Sequence, residues 1–228
     1  MRCVGVNTLY MVGRSNGQSA PVSDRSFVLL PEMNFLAHFY LSFRDPDILV
    51  GQFIADGVKG RSYKNHPARI RDGILLHRFI DSTTDNHPEC LKIRQLIRPE
   101  LGLFSPVAID VYFDHFLARK WHIYNEESLK SFTEITFQTL EMKKEQISPQ
   151  MLSFLTKMKQ YDWLNTYESL EGISEILTQM SRRIRNGKQL ERAGSVLQDF
   201  LPEVEKTFDS FFPQLISDTK AKLDTFAN

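Results

Sequence analysis

From Met33 onward, hydrophobic residues recur at helical spacing along almost the whole chain. Between Asp45 and Gly60 the pattern has an N-capping aspartate, a proline at the first helical position, apolar positions at i, i+3 and i+4, and a glycine suited to end the helix. No run alternates with the period of two that a half-buried strand requires, and we find no internal repeat. The pattern therefore predicts an all-α protein.

Proline marks the start of most of the other predicted helices, because its fixed φ suits the first helical turn. These predicted starts are Pro67, Pro88, Pro106 after a capping Ser105, and Pro149 after a capping Ser148. Gly187 is expected to end a helix. Pro202 and Pro213 are expected to kink or divide the C-terminal stretch 189–226.

Residues 1–32 have a different composition, with little periodicity and a middle rich in Ser, Gly, Pro and Asn. A segment of this kind buries too little apolar surface to offset the entropy of ordering. We expect either a disordered extension or a mis-assigned start that precedes the true first residue, Met33. The predicted organisation is one helical domain over residues 33–228.

Composition and charge narrow the class of protein. The chain has 228 residues, of which 42% are hydrophobic, so it can build a sizeable core. Lys+Arg and Asp+Glu are equal at 28 each, which argues against broad nucleic-acid binding. Two cysteines make neither a disulfide framework nor a thiolate metal site. No apolar run approaches the roughly 20 residues of a membrane span. We expect a cytoplasmic protein with neither a nucleic-acid nor a membrane partner.

Four predicted helices carry ionisable side chains on otherwise apolar faces. His77 and Asp81, for example, are four residues apart and project from the same side of one helix. The candidates are His38, Asp56, His77, Asp81, Asp114 and His115. Each alone is more typical of a hydrogen-bonded core residue or a simple ion pair. Several carboxylates on apolar faces, however, require a cation, since burial of an isolated ion costs several kcal/mol.

Imidazole and carboxylate groups without cysteine suit Mn²⁺, Fe²⁺ or Zn²⁺, and a carboxylate majority favours Mn²⁺ or Mg²⁺. Helical bundles assemble such sites from side chains on facing helices. A cation of this type with an open coordination position activates phosphoesters toward water. The residues therefore favour a metal-dependent phosphohydrolase.

A basic segment, defined as residues 59–71, separates two of these helices and has no acidic residue before Asp72. Its cations are Lys59, Arg61, Lys64, Arg69 and Arg71. A charged run is usually an ordinary solvated loop. In a chain of zero formal net charge, such a concentration also fits the steering of an acidic partner.

Five segments together resemble the bacterial acyl-carrier-protein phosphodiesterases, which are an irregular branch of the HD phosphohydrolases. They are "MNFLAHFYLS" at 33–42, "GQFIADGVKG" at 51–60, "GILLHRFIDSTTDNHPE" at 73–89, "IDVYFDHFLARKW" at 109–121 and "MSRR" at 180–183. The resemblance implies a compact HD-like helical bundle with its site between facing helices. It also implies hydrolysis of the phosphodiester that joins 4'-phosphopantetheine to a serine of holo-acyl carrier protein.

The resemblance further implies a divalent cation, Mn²⁺ before Mg²⁺ or Fe²⁺, and assigns residues to roles. Asp56, His77, Asp81 and Asp114 are the implied metal ligands, and His38 and His115 are further implied site residues. Together with Arg78, which neighbours His77, these two histidines are the expected catalytic residues. Arg78 would hold a phosphate oxygen, and one of the two histidines would protonate the departing serine oxygen. The basic segment would dock the acidic carrier. The HD pattern itself is altered, because Asp114-His115 stands in the reversed order.

Two other functions stay open at this point. One is an HD-type phosphohydrolase that acts on a nucleotide. The other is a non-enzymatic helical adaptor for acidic partners.

Overall fold

The computed structural model describes residues 35–184 and 186–226, and the regular structure in these ranges is helical throughout. The helices are α1 (Phe35–Tyr40), α2 (Pro46–Ile54), α3 (Ala68–Asn86), α4 (Pro88–Leu101), α5 (Ser105–Arg119), α6 (Trp121–Tyr124), α7 (Leu129–Met142), α8 (Pro149–Gln160), α9 (Trp163–Thr166), α10 (Leu170–Arg183), α11 (Ala193–Asp199) and α12 (Leu201–Asp224). The all-α prediction is confirmed. The prediction for residues 1–32 lies outside the described residues.

The predicted caps can be compared with the structure at three helix starts. The Asp45 carboxylate accepts the N–H groups of residues 47 and 48, each at 3.0 Å, and caps α2 as predicted. Ser148 caps α8 in the same way. The predicted cap at Ser105 is wrong, because its hydroxyl donates to the Gly102 carbonyl at 2.8 Å. A 3-10 turn over Gly102–Phe104 runs directly into α5 and leaves no extended cap position.

The structure also differs from the prediction at two helix ends and at one predicted helix break. Helix α2 ends at Ile54 and continues as a 3-10 turn, and α10 ends at Arg183 rather than at residue 187. Helix α12 passes through Pro213 without interruption. Pro213 is exposed, whereas the adjacent Phe211 and Phe212 are buried, so packing of the apolar face holds the helix together.

Helices α2 and α3 are in backbone contact at two glycines. A Cβ added to Gly51 would lie 2.3 Å from the carbonyl oxygen of Ile70, and one added to Gly73 would lie 2.5 Å from that of Ile48. Only residues without a side chain permit this approach. The contact places the end of α2 beside the middle of α3.

Helix α1 has only six residues and depends on its surroundings for stability. Its Phe35 and Phe39 rings are buried and lie 5.8 and 6.1 Å from the ring of Phe53 on α2. This aromatic packing presses α1 against α2.

The stretch Pro88–Arg119, which contains α4 and α5, is long and apolar enough to cross a membrane by length and composition. This corrects the expectation that no such run exists. However, 67% of its most apolar window is buried inside the fold, as in the core helix of a soluble protein. Burial against the other helices accounts for its hydropathy.

Candidate metal centre

Three side chains, one from α1 and two from α3, come together in one cluster. His38 Nε2 lies 3.2 Å from one carboxylate oxygen of Asp81, and His77 Nε2 lies 3.2 Å from the other. The two imidazole rings are stacked with their centroids 4.0 Å apart. One donor atom from each of the three residues lies within 4.8 Å of the others. We call these three residues the triad.

Asp56 reaches the triad from the 3-10 turn that follows α2. Its carboxylate oxygen lies 3.0 Å from His77 Nε2. This turn exists because α2 stops at Ile54, and the glycine contact between α2 and α3 then places Asp56 beside His77. Three separate segments of the chain therefore contribute to one cluster: α1, the turn after α2, and α3.

The triad is buried at its imidazoles and open at its carboxylate. The side chains of His38 and His77 are 1% and 4% exposed, whereas that of Asp81 is 33% exposed. Burial acts to raise the pKa of Asp81, but the neighbouring His77 and His38 outweigh it and hold that pKa below its usual value. Asp81 is therefore ionised at neutral pH and lies at the solvent edge of the cluster.

The donor set suits a divalent cation. Two imidazole nitrogens and two carboxylates meet without a thiolate, which is the chemistry that Mn²⁺, Fe²⁺ and Zn²⁺ share. Two carboxylates on one imidazole nitrogen, at 3.0 and 3.2 Å, also concentrate negative charge that a cation would balance. The residues present fit such an ion.

Gln52 contacts His38 of the triad, and the sequence pattern predicted no role for it. Its side chain is fully buried on α2, and its amide oxygen lies 2.9 Å from His38 Nδ1. The available signal was a single amide inside an otherwise apolar helix, "ILVGQFI". Such a group needs a polar partner, but the pattern does not say which one.

Asp114, predicted as a metal ligand, lies outside the triad and holds α1 in place. Its two oxygens accept the backbone N–H groups of Leu36 and Ala37 at 3.0 and 2.8 Å, and Tyr167 contributes a further hydrogen bond. Burial raises the pKa of Asp114 to about 7, although these hydrogen bonds act in the opposite direction. The structure thus uses Asp114 to satisfy the first turn of the helix that carries His38.

Two of the predicted catalytic residues, His115 and Arg78, form hydrogen bonds outside the triad. His115 is fully buried, and its Nδ1 donates to the Tyr167 carbonyl at 2.7 Å. Burial lowers the pKa of His115 and keeps it neutral. The guanidinium of Arg78 donates to the carbonyls of Val58 and Gly60 at 2.6 and 2.9 Å. Arg78 therefore fixes the start of the basic segment rather than pointing at the triad.

The basic segment divides into an exposed part and a tethered part. Lys59, Arg61 and Lys64 are exposed. Arg69 instead binds Asp45 at 2.8 Å, and Arg71 lies 4.0 Å from Asp72. The exposed cations come directly after the turn that carries Asp56, so this surface begins a few residues from the cluster.

An open cleft of about 520 Å³ occurs elsewhere, between the turn after α1 and the end of α12. Its lining includes Tyr40, Phe43 and Lys220. None of its lining residues belongs to the triad, so this cleft is separate from the cluster.

The chain is similar to known proteins over most of its length. The family model described as acyl carrier protein phosphodiesterase matches residues 33–215. The acyl carrier protein phosphodiesterase of Enterobacter sp. (strain 638) is 30% identical over 191 residues, which cover 83% of this chain and 99% of that protein. That of Klebsiella pneumoniae (strain 342) is 30% identical over 185 residues, covering 81% and 96%. No solved structure matches.

Proposed function

Because the chain belongs to the acyl carrier protein phosphodiesterase family, we propose that it releases 4'-phosphopantetheine from holo-acyl carrier protein. The bond cleaved is the phosphodiester to the carrier serine, and water is the nucleophile. The products are apo-carrier and free 4'-phosphopantetheine. The observation that carries the proposal is the convergence of His38, His77 and Asp81 from two helices onto one point.

His38, His77 and Asp81 would hold a divalent cation, with Asp56 beside His77. Mn²⁺ suits this set best, and Mg²⁺ or Fe²⁺ are the alternatives. When bound, such an ion supplies Lewis acidity toward a phosphoryl oxygen and toward water.

The chain's own residues orient these donors and leave one side open. Stacking and burial fix the two imidazoles, while the exposed edge of Asp81 faces solvent, where a phosphodiester can approach. The two predicted proton donors, His38 and His115, both have other partners. His38 belongs to the triad, and His115 donates its Nδ1 proton to the Tyr167 carbonyl. Solvent at the open edge is therefore the proposed proton source for the departing serine oxygen.

The basic segment is the proposed docking surface for the carrier. Arg78 ties the carbonyls at positions 58 and 60 to α3, which holds the exposed Lys59, Arg61 and Lys64 next to the site. An acidic carrier protein complements these cations. Arg69 and Arg71 support this surface through their contacts with Asp45 and Asp72. The proposed location of the reaction is the cytoplasm.

The first prediction concerns carrier mass. Incubation of the protein with Mn²⁺ and holo-carrier is expected to convert the carrier to its apo mass, as measured by mass spectrometry. Asp81→Asn should lower the rate by about 100-fold or more, because it removes a charged donor at the open edge. Asp85→Asn is the matched control. Asp85 lies one turn further along α3 and pairs with Arg94, away from the triad.

Other outcomes of the same assay would contradict the proposal. An unchanged carrier together with hydrolysis of a nucleotide would indicate an HD-type nucleotide phosphohydrolase. Binding of the carrier without any hydrolysis would indicate an adaptor. Equal rates for Asp81→Asn and Asp85→Asn would show that the triad is not the site.

The second prediction concerns docking. The double variant Arg61→Glu, Lys64→Glu should raise KM for the carrier about tenfold and leave kcat within about twofold, because steering charges act on association. The control is Lys130→Glu, Lys144→Glu, at exposed positions near the two ends of α7. Initial rates at two ionic strengths measure the effect, and an equal rise in KM for both variants would contradict a localised dock.

A further inference from the structure

We propose that Gln52 is a positioning residue that sets the ring tautomer of His38 and so presents His38 Nε2 to the cation. This inference rests on the proposed function, because it concerns the same site. It identifies the residue behind the triad that decides which nitrogen of His38 is free to bind a metal.

The contacts of the two ring nitrogens carry the argument. The Gln52 amide oxygen lies 2.9 Å from His38 Nδ1, and a carbonyl oxygen can only accept a hydrogen bond. Nδ1 must therefore carry the proton. In the metal-free chain Nε2, which faces Asp81 at 3.2 Å, can donate a hydrogen bond to that carboxylate. A bound cation would take the place of the Nε2 proton, and with Nδ1 protonated the ring offers its lone pair at Nε2.

Stacking alone does not make this choice. The His38 ring lies over the His77 ring at 4.0 Å, with 22° between their planes, which fixes its plane. A half-turn of the ring about its Cβ–Cγ bond would keep that plane and still exchange the two ring edges. Gln52 favours one edge, because it offers an acceptor on the side opposite Asp81.

The acceptor is held rigidly. Gln52 is fully buried, and its neighbour Gly51 lies at the point where the backbones of α2 and α3 touch. Asp45 and Arg69 tie the start of α2 to α3 at 2.8 Å. The amide therefore has little freedom to follow a moving ring, and the ring must conform to the amide.

The Gln52 amide nitrogen is not the end of the side chain that meets His38 Nδ1. It is buried, and it has no hydrogen-bond partner among the described residues. Reversal of the amide would give this nitrogen a partner in Nδ1, but it would move the ring proton to Nε2 and block that atom as a ligand. The observed orientation is thus the one that leaves Nε2 of His38 available as a ligand.

The test compares Gln52→Met with Gln52→Glu in the full chain. Methionine has a similar shape and no acceptor for Nδ1–H, and it should weaken Mn²⁺ binding by about 10- to 100-fold in calorimetry. Glutamate accepts the same hydrogen bond and should keep the affinity within about threefold of the original or increase it. Nitrogen-15 spectra of histidine-labelled, metal-free protein should show His38 protonated at Nδ1 in the original chain and in Gln52→Glu only.

Two controls separate positioning from a general effect on folding. In a His38→Ala background, Gln52→Met should cause no further loss of Mn²⁺ affinity. Thermal unfolding of each variant shows whether it is folded. If Gln52→Met does not fold, Gln52→Asn, which withdraws the acceptor by one methylene, provides the same readouts.

Unchanged Mn²⁺ affinity in Gln52→Met, or an Nδ1-protonated His38 in its spectrum, would overturn the proposal. These measurements need no carrier protein. A chain that binds Mn²⁺ and responds to Gln52→Met, but leaves the carrier intact, would refute the proposed function and keep the role of Gln52.

Discussion

Asp81 and Asp114 are both aspartates on core helices, yet their carboxylates have different surroundings. Asp81 lies between two imidazoles with a third of its side chain exposed, and its pKa is lowered by those rings against the effect of burial. Asp114 is fully buried against backbone N–H groups, and burial raises its pKa to about 7. The same residue type is therefore a candidate ligand in one place and a structural acceptor in the other.

The raised pKa of Asp114 predicts a pH dependence of stability. In the unfolded chain this carboxyl titrates at about 3.9, and in the folded chain at about 7. Folding then favours the protonated form, so the stabilisation is complete below about pH 4 and is lost as the pH rises through 7. The free energy of unfolding should fall by about 1 kcal/mol per pH unit between pH 5 and 7 from this group.

Asp114→Asn isolates this contribution, because asparagine keeps one oxygen to accept a backbone N–H group but does not titrate. Denaturant unfolding at several pH values should show a flatter profile for Asp114→Asn than for the original chain. Parallel profiles would show that Asp114 keeps the same charge in the folded and unfolded states.

At the scale of elements, the contact between α2 and α3 positions the site. The two helices touch at Gly51 and Gly73, and this contact brings Asp56 to His77 of α3. Gln52, next to Gly51, contacts His38 of α1. The spacing of hydrophobic residues predicted both helices. It did not predict how closely they approach, since that depends on side chains being absent from both surfaces at the same point.

Gly73→Ala should therefore be strongly destabilising. Its new Cβ would lie 2.5 Å from the Ile48 carbonyl oxygen and 2.9 Å from Cα atoms of α2, so the helices must separate. Overpacking against a backbone of this kind costs about 3 kcal/mol. Denaturant unfolding measures the loss, and Mn²⁺ affinity should fall with it because Asp56 and His77 are moved apart.

Gly57→Ala is the matched control for this experiment. A Cβ at Gly57 would meet no atom within 4 Å, so its free energy of unfolding should stay within about 1 kcal/mol of the original. A similar loss in both variants would show that the contact between α2 and α3 is looser than the structure has it.

At the scale of the whole molecule, the proposed cation joins segments that meet only in the folded chain. His38 and Asp81 belong to α1 and α3, and Asp56 to the turn between them. An ion that binds this arrangement and not the unfolded chain must stabilise the fold. Binding should therefore be visible as a shift of the entire unfolding transition.

Mn²⁺ at 100 times its dissociation constant should stabilise the folded chain by about 2.7 kcal/mol. For a protein of this size that corresponds to a rise in Tm of about 5–10 °C over the chelator-treated protein. Calorimetry measures the shift, which Asp81→Asn should abolish and Asp85→Asn should retain. An equal shift in both variants would locate the cation elsewhere.

The sequence by itself determined the helical class, the capped starts at Asp45 and Ser148, and the pairing of His77 with Asp81, because each of these depends on neighbours a few residues apart. It also identified the family through segments in a fixed order. These properties follow from local spacing and short-range hydrogen bonds.

Only the tertiary structure decided which polar residues meet. It placed His38 with Asp81, supplied Gln52 as a partner for His38, and turned Asp114 toward the backbone of α1. The physical reason is that each of these contacts joins residues from different helices, and their meeting depends on packing distances and helix ends that the hydrophobic pattern does not encode.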